Sequence, residues 1–178
     1  KPKPAHLVES NINEVVLSVH ELTRMQLHKD DLKIHFKLDE SLPAVLIDQA
    51  QISQVVINLV INAMQAMPDG GDLYIHTENV TIDEKYVKPF KIDPGRYIKI
   101  TVTDTGIGMD EETQTRMFDP FFTTKEIGKG TGLGMSVSFG ILQSHGAQIK
   151  VDAKPETGTS IVIRFPLPPK RQPSDPEI

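Results

Sequence analysis

Asn58 and Asn62 stand one helical turn apart in a run that is otherwise apolar, Val55-Val56-Ile57-Asn58-Leu59-Val60-Ile61-Asn62-Ala63. At about 100° per residue, Gln54, Asn58, Asn62 and Gln65 fall on one narrow stripe. Ile52, Val55, Val56, Leu59, Val60, Ala63 and Met67 cover a broad face, and Ile57 and Ile61 extend it. Burying an unpaired amide costs about 1 to 3 kcal/mol, so both asparagines need partners. They either cap loops of the protein or are completed by a ligand or the hydration shell of a metal ion.

A second set of residues, Asp104-Thr105-Gly106-Ile107-Gly108-Met109, follows a strand pattern that ends at Thr103. Two glycines spaced i, i+2 allow close approach of the backbone to a ligand, while the carboxylate before them is held at a strand end. Such a group only accepts hydrogen bonds, so it favours the exocyclic amine of adenine over the carbonyl oxygen of guanine. An ordinary turn with an Asx cap also fits this pattern taken alone.

The third set, Gly128-Lys129-Gly130-Thr131-Gly132-Leu133-Gly134, runs directly into a helical pattern. Its N–H groups can converge on an anion at a helix start, and a polyphosphate suits that arrangement. The alternative, a flexible linker, is weakened because a helix follows at once and the loop is not serine-rich. It is neither a Walker A loop, lacking the closing Gly-Lys-Ser/Thr, nor a dinucleotide fingerprint, lacking a strand directly before it. Between the glycine stretches, Phe118, Phe121 and Phe122 are three of the chain's seven phenylalanines. In a non-periodic segment they suit either a lid or simple core anchors, and Lys125 closes the segment where it could meet phosphate charge.

Other chemistries find little support. His6, His20, His28, His35, His76 and His145 show no metal-ligand spacing that would suggest zinc, and with no cysteine a disulfide framework and a thiolate metal site are excluded. No Gly-x-Ser-x-Gly elbow is present. With 19 basic against 24 acidic residues and a net charge of −5, the chain lacks the footprint of a nucleic-acid binder or a polybasic membrane anchor. No apolar run reaches the roughly 20 residues needed to span a bilayer.

The elements that position these residues follow from periodicity. Residues 8 to 28 carry apolar positions at helical spacing, and Leu32, Ile34, Phe36 and Leu38 then alternate as a strand. Asp48 is an expected N-cap for the asparagine-bearing helix, which stops before Pro68-Asp69-Gly70-Gly71. Leu73, Ile75 and Thr77, and then Ile98, Ile100 and Val102, read as antiparallel neighbours joined by a long connection. A short helix is expected over 110–117 and another over 136–145, followed by strands at 149–153 and 159–165. Segregated helices and strands predict an α+β fold, a two-layer α/β sandwich whose mixed, mostly antiparallel sheet is covered on one face by helices. A single domain is expected over 8–167, between a linker at 1–7 and a proline-rich tail at 168–178. Pro166, Pro168, Pro169, Pro173 and Pro176 crowd the last thirteen residues, and the opening prolines give the chain the look of a fragment of a longer protein.

Taken in order, these elements resemble the ATP-binding catalytic domain of bacterial sensor histidine kinases, of the superfamily shared with gyrase, a heat-shock chaperone and mismatch-repair ATPases. Asn58 to Ala63 is similar to the N box, Asp104 to Gly108 to the first glycine box, Phe118 to Phe122 to the F box, and Gly130 to Gly134 to the second glycine box. Gly158-Thr159 fits the closing Gly-Thr pair. The likeness spans about Asn13 to Leu167.

The resemblance implies that the chain binds ATP or ADP with Mg²⁺ and transfers the γ-phosphoryl group to a histidine on a separate helical dimerisation domain of the same protein. A response regulator receiver domain would be the next partner, and the location cytoplasmic. Asp104 would contact the adenine amine with Thr159 in support, and Asn62 would hold Mg²⁺. Asn58, Lys125 and the amides of Gly130, Thr131, Gly132, Leu133 and Gly134 would address the phosphates, with Asn58 and Lys125 as the catalytic pair. Gly106, Gly108, Met109 and Phe118 would complete the nucleotide pocket. Hydrolytic members carry a glutamate where this chain has Asn58, a poor base, which favours transfer to a protein acceptor over water. Gln65 and Ala66 stand where many relatives place a lysine and an aromatic, similar to the nitrogen-regulatory branch. No histidine here sits in the phosphoacceptor pattern, so the chain is expected to bind ATP without completing autophosphorylation alone.

Overall fold

The computed structural model describes residues 5–24, 31–83, 92–125 and 130–169. Expectations that fall on 1–4, His28, Pro89, Gly128, Lys129 and 170–178 lie outside the described residues.

The first element is a strand, not a helix. β1 (Val8–Ser10) pairs antiparallel with β3 (Val45–Ile47), Val8 opposite Ile47 and Ser10 opposite Val45. The helix expected from residue 8 therefore begins as α1 (Ile12–Arg24). Asn11 sets its start by accepting from the Asn13 N–H at 2.9 Å, the bond expected of an asparagine cap. β2 spans Leu32–Leu38, and α2 spans Gln49–Ala66. Asp48 caps α2 as expected, accepting from the Gln51 N–H at 3.1 Å. Two long strands follow, β4 (Gly71–Ile82) and β5 (Gly95–Asp104), antiparallel with Leu73 opposite Asp104.

A short α3 (Glu111–Arg116) precedes α4 (Gly134–Ser144), and the chain closes with β6 (Gln148–Lys154) and β7 (Gly158–Leu167). The main sheet has the order β2-β4-β5-β7-β6. Only β2 and β4 run parallel, joined through β3 and α2 because a parallel pair needs a crossover. The fold is thus the α+β sandwich with a mixed, mostly antiparallel sheet that the sequence implies. Pro166 belongs to β7 and not to the tail: it stands opposite Tyr97, beyond the last β6 partner of β7 at Arg164, where its missing N–H breaks no β6 rung.

The core lies between sheet and helices. Ile52, Val55, Val56 and Leu59 of α2 are buried against Leu73, Ile98, Ile100, Ile163 and Phe165 of the sheet. Each such side chain contributes roughly 1.5 to 3 kcal/mol when fully buried. α2 packs between α1 and α4 and lies on β5, so its remaining polar stripe is fixed relative to the end of β5. Gln114 of α3 clamps the outer edge of β6: its Nε2 donates to the Ala153 carbonyl at 2.8 Å and its Oε1 accepts from the Ala153 N–H at 3.3 Å. That pair holds α3 as one wall of the cavity described next. No helix of the described residues is long and apolar enough to cross a membrane.

Candidate nucleotide site

The asparagine pair is built into α2 by the apolar residues around it. Asn58 Nδ2 donates to the Gly134 carbonyl at 3.1 Å and to the Ser138 hydroxyl at 3.0 Å. A carbonyl only accepts, so the orientation of this amide is set, and Oδ1 accepts nothing from the described residues. Asn62, one turn further, is half-buried, and its side chain has no hydrogen bond among the described residues. The capping reading therefore holds for Asn58 Nδ2, while Asn58 Oδ1 and the Asn62 side chain keep no partner among the described residues.

Asp104 sits at the end of β5 with only 7% exposure. One oxygen accepts the N–H groups of Gly106 at 2.9 Å and Thr159 at 3.3 Å. The other oxygen accepts nothing from the described residues. Burial raises this carboxyl above the ordinary value of 3.8, against the two backbone donors that lower it. The loop that follows is stitched on both sides: the Ile107 N–H donates to the Ala66 carbonyl at the end of α2 at 3.0 Å, and the Ile107 carbonyl accepts from Glu156 N–H at 2.6 Å. Gly108 has φ +68°, and a side chain there would run into the Lys154 carbonyl.

The phenylalanine segment divides three ways. Phe118 turns away, its ring 5.1 Å from that of Phe139 on α4. Phe121 is 75% exposed with φ +68°, and its N–H donates to the Gly132 carbonyl at 2.9 Å. Phe122 faces inward beneath the Arg116 guanidinium, 4.5 Å from its ring centre. Lys125 Nζ donates to Gln65 Oε1. The second glycine loop enters α4 two residues earlier than expected, at Gly134. Leu133 is its cap residue without any side-chain capping bond, so the first-turn N–H groups point outward unclaimed by a cap.

These pieces surround one cavity of about 670 Å³. It brings together Asn58, Asn62, Asp104, Gly108, Met109, Lys125, Gly130, Thr131, Gly132, Gly134 and Thr159. Gly106, Phe118 and Leu133 do not line it. Gly106 packs against Ala66, Phe118 is engaged by Phe139, and Leu133 is 37% exposed. Gln65, Thr113, Met117, Phe122 and Met135 line the cavity without having been assigned to the site from sequence. The tilt of the Asn58 stripe could have identified Gln65, whereas a segment without periodicity gives no sign of which phenylalanine turns inward. None of the five described histidines lines the cavity.

A family model described as "Histidine kinase-, DNA gyrase B-, and HSP90-like ATPase" matches residues 47–169. Sensor kinase CckA of Brucella abortus is 36% identical over 158 residues, 88% of this chain and 16% of that protein. Sporulation kinase A of Bacillus subtilis is 37% identical over 156 residues, 88% of this chain and 23% of that protein. The chain spans between 16% and 34% of the length of such curated relatives. Among solved structures, the nucleotide-free catalytic domain of histidine kinase ThkA superposes with a TM-score of 0.73 at 29% identity, covering 90% of this chain and 95% of that one. ThkA in complex with the response regulator protein TrrA gives a TM-score of 0.69 at 25% identity, covering 94% of this chain and 44% of that one.

Proposed function

We propose, given that the chain belongs to the family of histidine kinase-, DNA gyrase B- and HSP90-like ATPases, that it is the Mg-ATP-binding catalytic domain of a sensor histidine kinase, formed by residues 8–167 between a linker and a proline-rich tail. It delivers the γ-phosphoryl group to a histidine on a separate helical domain of its parent. The observation that carries this reading is the buried carboxylate of Asp104, with one oxygen unclaimed, in the same cavity as the uncapped start of α4.

An ionised Asp104 accepts from the adenine amine and opposes the guanine carbonyl, while Thr159 fixes the carboxylate through its amide. The triphosphate lies toward Lys125 and the amides of Gly130 to Gly134, where helix start and ammonium offset its charge. Among the described residues no group of three or more His, Cys, Asp or Glu could hold a metal. A divalent cation would therefore be held by the nucleotide's own oxygens together with Asn58 Oδ1 and Asn62, neutral oxygen donors that suit a hard ion. When bound, Mg²⁺ supplies charge neutralisation on the transferring phosphate.

Among the described residues Asp104 is the single carboxylate lining the cavity, and Asn58 is no base, so nothing on α2 activates water. This supports transfer to a protein acceptor over hydrolysis. Phe121, Leu133 and Val137 are exposed apolar residues grouped around the start of α4, a surface suited to the helical acceptor domain. A response regulator is the onward partner, as the ThkA complex with TrrA supports, and the domain works on the cytoplasmic side.

Calorimetric titration of ATP, ADP and GTP with and without Mg²⁺ tests the reading. Binding of ATP and ADP, strengthened by Mg²⁺ for ATP, with GTP much weaker and no steady-state hydrolysis, is the expected result. Equal affinity for GTP, or rapid turnover of ATP by this chain, would overturn it.

A further inference from the structure

We infer that Gln65 is a positioning residue for Lys125, holding the ammonium at the phosphate end of the cavity. The inference rests on the nucleotide reading above and deepens it. Gln65 lies three residues beyond Asn62 on α2, and both Gln65 and Lys125 line the cavity. Gln65 Oε1 accepts from Lys125 Nζ, an exposed contact between α2 and the segment that follows Phe122. The stem of the lysine is guided as well. Its N–H donates to Thr123 Oγ1 at 3.1 Å, and a side chain at Gly130 would meet Thr123 Oγ1 at 2.8 Å and Lys125 Cδ at 3.0 Å. The glycine loop thus sets one side of the lysine's path and Gln65 its end point.

The chemistry of the amide matters. A carboxamide oxygen orients an ammonium without neutralising it, leaving its full charge for a phosphate. A carboxylate there would compete with the phosphate, and an apolar side chain would leave the lysine free among its many rotamers.

The test is a double-mutant cycle on the whole chain with Mg-ATP and adenosine as probes. Gln65→Met weakens Mg-ATP by about three- to tenfold in a background with Lys125 and has no effect in the Lys125→Ala background, the signature of one coupled pair. Gln65→Glu weakens Mg-ATP more than Gln65→Met does, and neither variant changes adenosine affinity. Multiplicative effects of Gln65→Met and Lys125→Ala, or equal losses for adenosine and ATP, would overturn the role of Gln65 while leaving the pocket assignment intact. A wild-type chain that binds adenosine and ATP equally would overturn the phosphate reading itself, and this role with it.

Discussion

The side-chain amide of Asn58 donates to the Ser138 hydroxyl at 3.0 Å and to the Gly134 carbonyl at 3.1 Å, so polar contacts tie the middle of α2 to the first two turns of α4. Ser138 has 0% exposure. Asn58→Ala would leave that hydroxyl without its partner, at a cost of about 1 to 3 kcal/mol in stability. Chemical denaturation should show a lower midpoint, and Mg-ATP affinity should fall as well. An unchanged midpoint would mean that water replaces the amide.

Asp104→Asn should separate stability from recognition. The substitution removes a buried charge yet keeps an oxygen for the Gly106 and Thr159 amides. The nucleotide-free variant should melt no lower than wild type at neutral pH, while its preference for ATP over GTP disappears. Competition between the two nucleotides measures the second effect.

The pH dependence follows from the direction of the Asp104 shift. Its folded pKa lies above the ordinary 3.8, so the folded state holds the proton more tightly than the unfolded one. This contribution to stability is full below the unfolded value and is lost as pH rises through the folded value. Nucleotide behaves oppositely, because the ionised carboxylate is the better acceptor for the amine. ATP affinity should therefore fall as pH drops through the raised pKa, and Asp104→Asn should flatten that profile. Titrations across the acid range decide it.

Asn62→Ala should remove the Mg²⁺ dependence of ATP binding and leave the fold intact, since the Asn62 side chain makes no hydrogen bond among the described residues. Comparing ATP affinity in Mg²⁺ and in chelator reads this directly. An undiminished Mg²⁺ effect would place the cation on Asn58 and the phosphates alone.

Gly132→Ala should loosen the phenylalanine segment. Gly132 has φ +65°, and a methyl there would overlap the Phe121 backbone. Backbone strain of about 1 kcal/mol or more is expected. Faster hydrogen exchange at the Phe121 amide, with ATP affinity reduced more than that of adenosine, is the outcome to look for.

The parts of this fold that sequence discloses are those governed by local periodicity. α2 announces itself through Ile52, Val55, Val56 and Leu59, and β5 through Ile98, Ile100 and Val102, because burial on one face repeats at the element's own period. Asp48 and the glycine stretches are legible for the same local reason. β1 is not, since three residues become a strand only by meeting Val45–Ile47 far along the chain. Phe118 and Phe122 could not be told apart either. Which ring enters the cavity depends on Phe139 and Arg116, contacts that no spacing encodes. The Gln65–Lys125 bond spans sixty residues of chain, and a helix stripe shows only one of its ends.

Gln114 meets Ala153 with both halves of its amide, imitating one rung of a further strand. An open β edge is a template on which a second chain can extend the sheet, the first step toward aggregation. With the Ala153 rung already occupied from within, the C-terminal end of β6 is closed to a pairing strand from a second copy of this domain.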